Sequence, residues 1–261
     1  LNQREARRRR ATDELIDSVA LEEFEGFHGK VKLPQVAVVI AAYKEVDNIE
    51  KVMASLPPTL CDLDAAAIVV IDGEEDGAAA LVRAAGGYAV IAPVNRGQGA
   101  ALRLGYRVAL DYGATYIVTA DADGQSDPAD LAVVLAPVVE GAADFVNGSR
   151  RLGRTESTDQ VRNLGVLVYA TIISALCGTT VTDTANPIRA MRAELTKNLT
   201  LEEPQYQASE LLITAILSGA RFAERPVTMR ARAAGASKKG GNLLYGYRYG
   251  TVVARTYLRE R

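Results

Sequence analysis

Two aspartates stand two residues apart in the segment Asp121–Ala122–Asp123–Gly124–Gln125. Where extended geometry persists, side chains two apart point the same way. Two carboxylates then face one point, with the Gln125 amide oxygen able to join them. Oxygen donors alone suit Mg²⁺ or Mn²⁺, which hold few protein ligands and complete their shell with phosphate and water. An ion held there would bridge a diphosphate and neutralise the charge that builds as a leaving group departs. The plain alternative is an Asx-type turn closing a strand, since Asp and Gly favour turns. The position of the segment in the fold decides between the two.

From Pro34 onward, short β-branched runs alternate with helical patterns. Strands are expected over Val36 to Ala41, Ala67 to Ile71, Tyr88 to Ala92 and Thr115 to Ala120, with Phe145 and Val146 ending a further one. Helices are expected over Val46 to Leu56, Asp76 to Ala85, Gln98 to Tyr112 and Asp127 to Glu140. Continuous apolar strands between helices imply an α/β fold, a mostly parallel sheet covered on both faces. Ligands of such sheets sit beyond the carboxyl ends of the strands. The first strand runs into Ala41–Ala42–Tyr43–Lys44–Glu45, the second into Asp72–Gly73 and the fourth into Asp121. The pair of aspartates therefore falls where a ligand would lie. After residue 150 the pattern loosens, with helices expected near 161–176 and 209–217 and short strands near 188–191 and 221–225.

Composition narrows the function classes. The 261 residues suit one large domain, and 48% hydrophobic with 24% charged residues is an ordinary globular balance. A net charge of −2 offers no overall basic surface for nucleic acid. The single histidine, His28, excludes histidine-rich zinc sites and speaks against a histidine triad. Cys61 and Cys177 have no partner nearby in sequence and read as reduced cysteines of a cytoplasmic protein. The chain opens on a cationic run with no apolar core behind it, so no signal peptide is read. Asn163 to Thr182 approaches bilayer length but is diluted by Gly and Thr, and reads as a buried or membrane-grazing helix. Residues 1–33 form an N-terminal helical extension in which Arg7 to Arg10 precede Leu15, Ile16, Val19, Leu21 and Phe24 among acids. Those acids favour packing on the domain or on a partner subunit over attraction to an anionic membrane. Residues 34–239 are read as the catalytic domain and 240–261 as a helical tail, whose tyrosines leave lipid proximity, dimer contact and core packing open.

Gly97–Gln98–Gly99 precedes a helix but follows the third strand, and Leu102 stands where a third glycine would be, so a dinucleotide fingerprint is rejected. No Gly-Lys-Ser/Thr is present to form a P-loop. A different resemblance is carried by an ordered set. Val39 to Ile49, Val69–Val70–Ile71–Asp72–Gly73 with Asp76–Gly77, Asn95 to Gly105, and Asp121 to Gln125 with Asp127–Pro128 resemble the successive motifs of family 2 glycosyltransferases of the GT-A fold. Gly148–Ser149–Arg150, Asp183 with Ile188–Arg189–Ala190, Glu210, and Arg232 to Lys238 extend it toward polyprenyl-phosphate sugar synthases of the dolichyl-phosphate mannose synthase type. The resemblance implies that Ala42, Tyr43, Glu45, Asp72, Gly97, Asp121 and Ala122 meet a nucleotide-sugar donor. It implies that Asp121, Asp123 and Gln125 hold Mn²⁺ or Mg²⁺ with the donor diphosphate, and that Arg150, Arg162 and Arg232 meet an acceptor phosphate. Guanidinium forks match phosphate in charge and shape.

The implied reaction is inverting transfer of a hexosyl group to a lipid phosphate, at the inner face of a membrane. A hydroxyl acceptor would need a carboxylate base, for which Glu210 leads and Asp183 is second. Three departures stand out: Ile71 replaces the first Asp of the second motif, Lys44 replaces Asn before Glu45, and Asn186–Pro187–Ile188 replaces a Gly-Phe before Arg189. A nucleotidyltransferase would carry a Gly-rich basic loop after the first strand, which Tyr43–Lys44–Glu45 does not supply. A non-catalytic nucleotide-sugar-binding module remains the reading from another class.

Overall fold

A computed structural model describes residues 3–73, 76–156, 160–230 and 242–261, apart from the side chains of 3–7, 160–162 and 242–245. The elements are α1 (Gln3–His28), β1 (Val36–Ala42), α2 (Val46–Ser55), β2 (Thr59–Leu60), β3 (Leu63–Asp72), α3 (Ala78–Ala84), β4 (Tyr88–Ala92), α4 (Gln98–Asp111), β5 (Tyr116–Asp121), α5 (Ala129–Val139), β6 (Phe145–Thr155), α6 (Gln160–Cys177), β7 (Arg189–Arg192), α7 (Gln207–Leu217), β8 (Phe222–Met229) and α8 (Asn242–Glu260). They build one sheet in the order β2-β3-β1-β5-β7-β6-β8, with β4 paired to β3 beside β2.

The sheet has a parallel block, β4-β3-β1-β5, and a further parallel pair, β6-β8; the register of the block sets the rim. Ala41 lies opposite Asp121, Ala42 opposite Ile71, and Asp72 opposite Ala92. The carboxyl ends of β1, β3 and β5 are therefore level, which brings Ala42, Asp72 and Asp121 to one edge. Alternate residues of each strand serve opposite faces. Ala37, Val39, Ile68 and Val70 enter a core with α1, α4 and α7, whereas Val36, Val38, Ile40 and Val69 enter another with α2 and α5. Burial on both faces is why the strands read as unbroken apolar runs.

Two departures from the sequence reading are tertiary in origin. β7 enters antiparallel between β5 and β6. Phe145 and Val146 begin β6 rather than ending a strand: the strand runs to Thr155 along β8 through an irregularity between Ser149 and Arg154. Its Gly- and Arg-rich second half carries no apolar alternation, so only pairing with β8 marks it as strand. α1 packs on β4 and α4, burying Ala20 and Phe24. His28 lies among rings, 4.7 Å from Phe24 and 5.2 Å from Tyr88 between centroids, and burial pulls its pKa below the ordinary value. Both cysteines are free and half-buried. Among the described residues no helix is long and apolar enough to cross a membrane.

One surface pair ties β6 to β8. Asp144 accepts from Arg221 Nε at 2.9 Å, Nη2 at 2.7 Å and the Arg221 backbone N–H at 3.0 Å. The guanidinium bonds hold its carboxyl down to about 2. An unfolded Asp titrates near ~3.9. Its contribution is thus complete above that pH and is lost as pH falls through about 2. Asp144→Asn should cost at most about 1 kcal/mol at neutral pH, the pair being well exposed. The stability gap from wild type, read by urea denaturation, should close between about pH 4 and pH 2; a gap independent of pH would refute the assignment.

Candidate active site

Asp121 ends β5 partly exposed, and Gln98 Nε2, at the start of α4, donates to its Oδ1 at 3.2 Å. Asp123 Oδ1 accepts the Gln125 backbone N–H at 3.1 Å, so the Asx turn weighed above is present. The turn leaves both aspartates at the rim. Three bonds fasten the following residues to the end of β8. Arg230 N–H donates to Gln125 O at 2.9 Å, Gln125 Nε2 donates to Arg230 O at 3.2 Å, and Arg230 Nη2 donates to Asp127 Oδ2 at 2.5 Å. With its amide nitrogen on Arg230, Gln125 has its amide oxygen as the end that an ion could use. Among the described residues no three His, Cys, Asp or Glu side chains gather to hold a metal. Two carboxylates and an amide oxygen still fit a hard cation whose remaining ligands are phosphate and water, the usual state of Mg²⁺.

The neighbouring wall comes from β1, β3 and the loop before α4. Ala42 is buried, while Tyr43 is exposed with the Lys44 ammonium 5.4 Å from its ring centroid. Lys44 has φ +54, a left-handed conformation that Asn tolerates better than Lys. Glu45 precedes α2 and accepts from Asn48 Nδ2 at 2.8 Å. Asp72 is 2% exposed, and its two oxygens accept the backbone N–H groups of Arg96 at 3.0 Å and Gly97 at 2.7 Å. Burial raises its pKa, opposed by those bonds and the Arg96 charge. Its visible duty is to hold the 95–97 loop. Gly97 and Gly99 let that loop meet residues 203–205: a Cβ on Gly97 would lie 2.6 Å from Pro204 O, and one on Gly99 2.1 Å from Glu203 O.

The opposite wall is a buried ionic lattice. Asp183, 0% exposed, accepts from Arg150 Nε at 2.6 Å and Nη2 at 2.8 Å, and from the backbone N–H groups of Arg150 and Ala185, each at 3.1 Å. Burial presses on the Arg150 guanidinium, but the bonds and charge of Asp183, with the nearby Asp121 charge, outweigh it and raise its pKa. The same Asp121 charge reaches Arg189. Arg189 is 3% exposed and donates to the carbonyls of Asn186, Thr184 and Ala208. Glu224 of β8 fixes the loop from beneath, accepting from Thr182 N at 2.8 Å, Thr182 Oγ1 at 2.6 Å and Asn147 Nδ2 at 3.0 Å.

Two expectations change. Glu210 is 0% exposed; it accepts the backbone N–H groups of Glu202 at 2.7 Å and Glu203 at 2.9 Å, and Arg259 Nη1 at 3.0 Å. Burial raises its pKa against those bonds. Glu210 thus anchors a loop, Asp183 anchors Arg150, and neither is presented as a base. Arg232 and the Arg162 side chain lie outside the described residues. The sequence reading assigned nothing to Gln98, Asn147, Arg189 or Glu224. Gln98 and Arg189 stood inside quoted motifs, and Glu224 was a lone acid in a short strand.

With this geometry in view, residues 37–200 match the family described as Glycosyl transferase family 2. The chain is 28% identical over 225 residues to a dolichyl-phosphate hexose transferase of Haloferax volcanii, covering 86% of this chain and 95% of that one. It is 28% identical over 222 residues to an undecaprenyl-phosphate mannosyltransferase of Micrococcus luteus, with 80% and 89% covered. Glucosyl-3-phosphoglycerate synthase of Mycobacterium tuberculosis, solved with Mn²⁺, uridine diphosphate and phosphoglyceric acid, superposes with a TM-score of 0.66 at 21% identity, covering 92% of this chain and 81% of that one. That likeness establishes the fold, the GT-A arrangement expected above. The family match spans well over half of the 261 residues, and the chain belongs to glycosyl transferase family 2.

Proposed function

We propose that the chain transfers a hexosyl group, with inversion, from a nucleoside-diphosphate sugar to a polyprenyl or dolichyl phosphate. The observation that carries this is Asp121 at the carboxyl end of β5, level with Ala42 and Asp72, with Asp123 two residues beyond it. Asp121, Asp123 and Gln125 would hold a divalent cation, which when bound supplies positive charge to the departing diphosphate. Gln98 orients the Asp121 carboxylate. Ala42, Tyr43 and Glu45 would bound the nucleoside, and Asp72 keeps the 95–97 loop in place beside it.

The acceptor assignment rests on proton bookkeeping. In the transfer, an acceptor oxygen forms a bond to the anomeric carbon while the bond to the diphosphate oxygen breaks, its electron pair leaving with the diphosphate. A hydroxyl must lose a proton during this step; a phosphate is already an anion. Glu210 and Asp183 are both buried and bound, which favours the acceptor that needs no base. Arg150, with Nε and Nη2 on Asp183 and Nη1 donating weakly to Met229 Sδ at 3.4 Å, would meet the acceptor phosphate by exchanging the sulfur for a phosphate oxygen. The names of the two relatives, both polyprenyl-phosphate sugar transferases, support the same class.

A donor screen tests this. Thermal unfolding with Mn²⁺ and either a UDP-sugar or a GDP-sugar should single out one donor. At about 100 times its dissociation constant that donor adds about 2.7 kcal/mol, and EDTA should abolish the gain. With that donor, a polyprenyl phosphate should be glycosylated and the corresponding polyprenol should not. Turnover of the alcohol alone would overturn the acceptor assignment.

A further inference from the structure

We infer that the stretch of α1 from Arg10 to Asp17 is a strap that sets the donor-site wall, with Asp13 and Asp17 as positioning residues for nucleotide binding. The inference rests on the proposed reading of the 95–99 loop as part of the donor site.

α1 has two halves held by different forces. The second half is anchored by packing: Phe24 is fully buried, with ring centroids 5.0 Å from Tyr112 and 6.2 Å from Tyr88, and Arg83 bonds Glu23 at 2.9 Å. Residues 8–17 are mostly exposed and reach the domain through charge. Arg96 Nη1 donates to Asp13 O at 3.1 Å and to Asp13 Oδ1 at 3.2 Å, and Arg96 Nη2 donates to Asp17 Oδ1 at 2.5 Å. The Arg96 side chain is 8% exposed, so these bonds are shielded from water and salt.

Arg96 is no bystander. Its own backbone N–H and that of Gly97 are the two donors that close on the Asp72 carboxylate. The side chain of Arg96 is thus clamped by α1 while its main chain is clamped by β3, and Gln98, two residues on, reaches Asp121. A second tether runs parallel. Asp13 Oδ2 lies 3.5 Å from Arg103 Nη2, and Arg103 Nη1 donates to Glu203 O at 3.1 Å. Glu203 O is the atom against which Gly99 is packed. Arg10 adds an ion pair to Glu202, whose N–H is bound by Glu210. Both loops that enclose the start of α4 are therefore tied to about two turns of α1, Arg10 to Asp17. Between them and α8 lies a cavity of about 600 Å³ lined by Arg10, Asp13, Asp17, Arg103, Glu202 and Arg259, room for the strap to shift when its charges are removed.

The test uses the full chain carrying Asp13→Asn with Asp17→Asn. Amide hydrogen exchange should accelerate at Arg96 and Gly97, about tenfold or more, with β1 and β3 unchanged because the Phe24 anchor is intact. The dissociation constant for the preferred nucleoside diphosphate with Mn²⁺, by calorimetry, should rise about tenfold, and KM for the donor should rise with it while kcat at saturating donor holds. Asp17→Glu, which keeps the charge, should recover most of the affinity. Unchanged exchange at 96 and 97, or acceleration spread evenly over the whole sheet, would overturn the strap. A wild-type protein that binds neither UDP nor GDP overturns the donor-site reading and the functional half of the inference with it. Exchange at 96 and 97 then still decides the mechanical half.

Discussion

Asp123→Ala is expected to lower kcat by about 10³-fold while the protein still melts as a folded domain. The loss follows from charge: a cation that neutralises a leaving diphosphate contributes several kcal/mol to the transition state, and about 4 kcal/mol is a factor of about 10³. The fold tolerates the change because the residues after Asp123 are fastened elsewhere, by the paired backbone and amide bonds between Gln125 and Arg230 and by the Arg230–Asp127 ion pair. What the substitution removes locally is the Asx bond from Gln125 N–H, about 1 kcal/mol at a partly exposed site. Asp123→Asn sharpens the test, since its amide oxygen keeps that turn but drops the charge. Initial rates over an Mn²⁺ titration, beside a thermal melt, separate the two effects. Wild-type turnover by Asp123→Ala in the presence of EDTA would remove the metal from the mechanism.

The sequence was legible where a residue's environment is set by its neighbours in the chain. The runs Val36–Ala41 and Thr115–Ala120 announce strands buried on both faces, and the acids just beyond such strands mark the rim on which Asp72 and Asp121 are found. Partnerships across long separations were not legible. Nothing near Asp183 tells that Arg150, thirty-three residues earlier, will close on it. Nothing near Glu210 shows that Arg259, forty-nine residues later, will bond its carboxylate. An acid at a motif position looks the same whether it takes a proton or anchors a loop; burial distinguishes the two, and burial is a property of the packed chain. The same holds for β6, whose second half is strand only because β8 lies beside it. Arg96 stood in plain view inside the third motif, but its grip on α1 depends on how the extension docks.

The Asp183–Arg150 pair carries the other large prediction. Its two side chains are 1% and 12% exposed, so the attraction acts with little water between them, and Asp183 also accepts the backbone N–H groups of Arg150 and Ala185. Asp183→Ala would strand the Arg150 guanidinium without its counter-charge, which costs about 3–5 kcal/mol. That is a large part of a typical total stability of about 5–15 kcal/mol, and at this chain length it corresponds to a fall in Tm on the order of 10 °C. Removing both charges is a different matter, because a buried pair replaced by apolar groups of similar volume is often neutral. Arg150→Met with Asp183→Leu should therefore melt well above Asp183→Ala alone, while failing, on the proposed function, to use a lipid-phosphate acceptor. The double-mutant cycle reads the coupling directly. Additive losses across the cycle would mean that the pair is not a unit, and the wall opposite the metal motif would need another account of its rigidity.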